Sequence, residues 1–110
     1  MENVIVYQAT LPENNELVEH FNHLGYDPLI VNKRSTLLSA CSSEDYQKVF
    51  VEVSNFSDIL LINSIRNINS AANIVLIVKP GLKEIIGALQ SNDYQIINSI
   101  MNVSPGNQNQ

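Results

Sequence analysis

Short, β-branched apolar runs alternate along this chain with stretches whose apolar residues recur every three to four positions. Val4 to Tyr7 is the first run and predicts a strand buried on both faces, bounded by Leu11-Pro12. Leu17, Val18, Phe21 and Leu24 then fall at helical spacing, Glu16, Glu19, His20 and His23 take the other positions, and Gly25 follows as a C-terminal stop. Leu29 to Val31 predicts a second strand, Arg34 to Ser42 a short second helix, and Val49 to Val53 a third strand. From Ser57 to about Asn67 a helical stripe runs through Ile62, Ile65 and Ile68, with Asp58 placed where negative charge favours a helix N-terminus. Ile74 to Val78 is uniformly apolar and, apart from Leu76, β-branched, which predicts the most deeply buried strand. Leu82, Ile85, Ile86 and Leu89 mark a fourth helix, and Tyr94 to Ile100 a fifth strand. The stretch from Asn102 to Gln110 is polar, contains Pro105-Gly106 and has no period.

Strands separated by helices of this length require right-handed crossovers, hence a parallel sheet covered on both faces. The pattern predicts one α/β domain over residues 1–103, followed by a polar tail or linker over 104–110. Five strands in this order suit a doubly wound, flavodoxin-like sheet of order 2-1-3-4-5 in which the fifth helix is missing. Without that helix, an apolar strip formed by the first and third strands beside the first helix should stay open to a partner, a second copy or the tail.

Charge narrows the partners. The net charge is −5 and the six Lys and Arg residues are scattered, whereas neutralising phosphates takes clustered cations. Direct nucleic-acid binding and anionic-membrane binding are therefore not expected. No apolar run approaches a membrane span, and Met1-Glu2-Asn3 lacks a basic leader start, so the expected location is cytoplasmic. Cys41 is the single cysteine; it excludes an internal disulfide and reads as a buried structural thiol.

The element order and spacing from Asn3 to about Val103, with Leu24-Gly25-Tyr26 closing the first helix and Asp93-Tyr94 opening the fifth strand, resemble the receiver domain of bacterial two-component response regulators. The resemblance implies a magnesium-binding acidic pair after the first strand, but here that stretch is Tyr7-Gln8-Ala9, without a carboxylate. It implies a phospho-accepting aspartate ending the third strand, and Glu52 stands there, longer by one methylene. The hydroxyl residue of the fourth strand falls at Val78 or Lys79, and the lysine of the fifth strand around Ile97 or Asn98. Lys79-Pro80 follows the fourth strand rather than the fifth, leaving Lys79 as a pocket lysine by relocation or by coincidence. A receiver with these substitutions is not expected to transfer phosphoryl groups, bind a metal or cofactor, or act as an enzyme.

The expected function is that of a non-phosphorylatable, receiver-like signalling module that works through a protein partner or a homodimer. The resemblance implies a place at the amino terminus of a bacterial transcriptional regulator. Glu52 reads as a strand-end carboxylate, solvated or paired with Lys79, ahead of a fixed mimic of phosphoaspartate. His20 and His23 read as a solvated helix face, and Asp45 and Asp58 as turn and helix-entry residues. Two rivals remain. An anti-sigma-antagonist-like (STAS) domain would use Tyr46 to Gln90, with Ser57 near the phosphorylated serine, but would open with antiparallel strands. A small-molecule sensor would line its crevice with Tyr7, Gln8, Ser54 and Asn55.

Overall fold

A computed structural model describes residues 2–9, 16–43, 45–78, 81, 82, 87 and 94–106. The elements run β1 (Glu2–Tyr7), α1 (Glu16–His23), β2 (Tyr26–Val31), α2 (Arg34–Cys41), β3 (Lys48–Val53), α3 (Ser57–Ile68), β4 (Ile74–Val78) and β5 (Gln95–Ile97), with a short 3₁₀ turn at Ile100–Asn102. The five strands form one sheet in the order β2-β1-β3-β4-β5, and every neighbouring pair is parallel. This is the doubly wound, flavodoxin-like α/β topology that the alternating pattern requires. Parallel pairing of β1 with β2 also departs from the antiparallel opening of an anti-sigma-antagonist-like domain.

Each face of the sheet has its own core. Alternate residues of the central strands, among them Ile5, Val51 and Leu76, pack with Leu37 and Cys41 of α2 and Leu61, Ile62 and Ile65 of α3. The intervening residues Val4, Val6, Phe50, Val75 and Ile77 pack with Leu17 and Phe21 of α1 and with Tyr26. That alternation is the period-2 geometry of a strand buried on both faces. Phe21, Tyr26 and Phe50 meet edge to face at centroid separations of 5.0–5.8 Å, the arrangement that aromatic quadrupoles favour. Gly25 ends α1 with φ 92°, a left-handed conformation that glycine adopts without steric penalty.

Several boundaries differ from the sequence expectation, each for a physical reason. Strand β2 begins at Tyr26 rather than Leu29 and carries Pro28 in its interior. Proline is tolerated there because β2 lies at the sheet edge, where its missing N–H costs no ladder bond. Strand β5 is confined to Gln95–Ile97, shorter than Tyr94 to Ile100, because Asn98 and Ser99 turn the chain into the 3₁₀ segment. Most of the fourth helix expected over Leu82 to Leu89 lies outside the described residues; Leu82 itself packs on the α2/α3 core.

Of the occupants expected for the strip left beside α1, the structure shows the chain's own tail. Val103 is buried among the α1-side core residues. Ser104 O accepts a bond from Tyr26 Oη at 2.8 Å, and Gly106 N donates to Leu24 O at 2.7 Å. Tyr26 Oη in turn accepts from Lys48 Nζ at 3.0 Å. A Cβ on Gly106 would stand 3.2 Å from both Gly25 O and the Tyr26 ring, so the strap lies tight on the α1–β2 turn. The chain thus folds its own carboxyl-terminal segment where a fifth helix would lie. Among the described residues, no helix is long and apolar enough to cross a membrane.

Candidate functional site

In the order 2-1-3-4-5 the connections from β1 and β3 leave on opposite faces, which opens a crevice at the carboxyl ends of those strands. Every sequence-predicted site residue near β1 and β3 comes to this end of the sheet, in three different situations. Tyr7 is buried, its side chain in the α2/α3 core, and does not line the crevice. Gln8 is half-buried and Ala9 is exposed. Glu52, also half-buried, accepts a hydrogen bond at Oε2 from Gln8 Nε2 at 3.1 Å. The β1–β3 register explains the pairing: Tyr7 sits beside Val51, so the next residues, Gln8 and Glu52, fall side by side. Glu52 is therefore tied to a neutral amide; Lys79, the partner considered from sequence, lies outside the described residues.

A neutral amide beside a carboxylate is a modest arrangement. It satisfies one lone pair and supplies no countercharge for an incoming phosphate or cation. Val78, at the position of the missing hydroxyl, ends β4 fully buried. Ile97 and Asn98, where a fifth-strand lysine would fall, are half-buried and exposed.

One layer out, a second carboxylate organises the loop. Asp58 is buried on the first turn of α3, yet all its bonds are satisfied locally. Its Oδ2 accepts from Ser54 N at 2.7 Å and Asn55 N at 3.2 Å, and its Oδ1 accepts from Arg34 Nη2 at 3.1 Å. Arg34 Nη2 also donates to Ser57 Oγ at 2.8 Å, and Asn55 Oδ1 accepts from both Ser57 N and Ser57 Oγ. Asp58 is thus the buried anchor of the β3–α3 loop, a role beyond the expected helix-entry charge. Arg34 pins the start of α2 to the start of α3. Sequence reading missed this pair because its members are 24 positions apart and neither belongs to a motif.

The loop leads directly into the second feature. Phe56 and Leu60 are exposed at 56% and 67%, and Ile68, also exposed, ends the same helix. Leu61, Ile62, Ile65 and Asp58 occupy the opposite, buried side of α3. Three of the exposed large apolar side chains among the described residues thus belong to α3 and its entry; the other two, Leu29 on β2 and Met101 on the 3₁₀ turn, stand apart. Phe56 and Leu60 fall outside the stripe expected through Ile62, Ile65 and Ile68; of that stripe Ile62 and Ile65 are buried, whereas Ile68, at the helix end, is exposed.

The remaining candidates take structural places. Cys41 is buried, and burial raises its thiol from 9.0 to about 11, which makes it inert. His20 is half-buried and His23 exposed on α1. A groove of about 450 Å³ lies at the opposite, amino ends of the strands, lined by Asn3, Asp27, Pro28, Leu29, Asp45 and Tyr46. It shares no residue with the crevice considered for a small-molecule sensor, and of that crevice's four residues Tyr7 is withdrawn into the core. The chain matches no protein-family model and no curated protein.

Proposed function

We propose that this chain is a non-phosphorylatable, receiver-like signalling module that acts by protein–protein contact, as a regulatory domain of a cytoplasmic bacterial regulator. The observation that carries the reading is the Gln8–Glu52 bond at the topological switch point. A phosphoryl-accepting carboxylate needs a divalent cation beside it to neutralise the incoming charge. Here Gln8, the residue that follows β1, presents an amide nitrogen to the carboxylate. The Asp58–Arg34 pair supports the same reading, because it fixes the β3–α3 loop through bonds that call for no ligand. A crevice arranged in this way leaves the outer surface, above all Phe56 and Leu60 on α3, as the part that meets other molecules. Catalysis is no part of this reading.

Intact-mass spectrometry after incubation with acetyl phosphate and Mg²⁺ tests it. The expected result is an unchanged mass. A stoichiometric gain of one phosphoryl group at Glu52 would overturn the proposal.

A further inference from the structure

The outer face of α3 carries a set of groups that match themselves. Along the line opposite the buried side stand Phe56, Leu60, Asn63 and Asn67, all exposed, flanked by the half-buried Ser64 and the exposed Ile68. None is charged. The helix's two charged residues are both engaged elsewhere: Asp58 is buried against Arg34. Arg66 folds back, its Nη1 donating to Ser70 O at 3.0 Å and Ala72 O at 2.7 Å, with its guanidinium 5.4 Å from the Tyr94 ring centroid.

A partner that relies on basic or acidic groups finds no countercharge on this line. A second copy of the chain does find complementarity, because each group is apolar, an Asn amide that both donates and accepts, or Ser64, whose hydroxyl donates to Leu60 O at 3.0 Å and can still accept. The neutrality matters most for self-contact. Two chains of net charge −5 repel, and a face without charge is where they can approach at least cost. We infer that the outer face of α3 is a homodimer contact, formed by antiparallel packing of two α3 helices about a two-fold axis near their midpoints. This inference rests on the protein-contact reading above and names its partner.

The geometry fixes the pairs. Phe56, Leu60, Ser64 and Ile68 succeed one another four residues apart, the ridge used in the commonest class of helix packing. An antiparallel arrangement sets Phe56 of one copy beside Ile68 of the other, and Leu60 beside Ser64. The 12 residues of α3 give a face roughly 18 Å long. One such helix pair buries less than the roughly 1,000 Å² that marks a stable interface, so the dimer is weak and concentration-dependent.

Equilibrium sedimentation of the whole chain between about 10 µM and 1 mM, the range of a small interface, tests the inference. The wild type should move from one chain toward two across that range. Leu60→Glu should weaken association about 30-fold, the effect of a central contact residue. Its thermal midpoint should be unchanged, because Leu60 is 67% exposed. Mixing Leu60→Glu with Ser64→Lys should restore association between the two variants by opposite charge. A wild type that stays monomeric, a dimer indifferent to Leu60→Glu, or a mixture that fails to associate would each overturn the inference. A monomer that also takes no phosphoryl group fells the homodimer alone; a phosphoryl adduct fells the module reading whatever the oligomeric state.

Discussion

Asp58 is the residue on which the crevice depends most. It accepts from two backbone N–H groups and one guanidinium, so its removal loses three bonds to a buried carboxylate. Asp58→Ala should therefore cost about 1–3 kcal/mol in urea denaturation, the scale of hydrogen bonds to a charged group. Arg34→Ala should cost less, about 0–1 kcal/mol, since the guanidinium is 46% exposed and solvent screens the pair. Equal losses from the two would mean that the ion pair, not the backbone bonds, holds the loop. Cys41 gives a second test at this scale. Burial raises its thiol to about 11 in the folded chain, so the unfolded chain ionises first, near 9.0. Stability should be constant below pH 9 on this account and fall between pH 9 and 11, by at most about 1.4 kcal/mol per pH unit. Cys41→Ser should flatten that part of the profile. A wild-type profile that rises over the same interval would place the thiol in a different environment.

At the scale of elements, sequence and structure agree where apolar residues are dense. Ile74 to Val78 was legible in full because five apolar residues between turn signals leave room for little except a doubly buried strand. Leu76, in its middle, is completely buried and lies between Val51 of β3 and Ile96 of β5. Truncating it to alanine should cost about 2–5 kcal/mol in chemical denaturation; a loss under about 1 kcal/mol would argue against a strand flanked on both sides. What sequence did not disclose lies where a single residue decides. Tyr26-Asp27-Pro28 reads as a break, and only its place at the sheet edge makes it a strand. Val103 is one apolar residue in a polar stretch, so no period could announce that it seals the α1 face. The Gln8–Glu52 pair was half legible. Both residues were identified as departures from a receiver site, but their contact follows from strand register, which appears only when β1 and β3 are aligned.

At the scale of the molecule, the topology separates two ends and two faces with different chemistry. The carboxyl end holds a crevice whose carboxylates are occupied by protein donors, the α1 face is closed by the chain's own strap, and α3 turns an uncharged face outward. A crevice tied up by its own donors in this way should not respond to phosphoryl donors. Amide NMR spectra of Ser54, Asn55 and Asp58, recorded while Mg²⁺ and then acetyl phosphate are added, test this. These three signals should stay where they are, with Ser54 and Asn55 protected by their bonds to Asp58. Saturable shifts at Ser54 and Asn55 that require both Mg²⁺ and acetyl phosphate would contradict it.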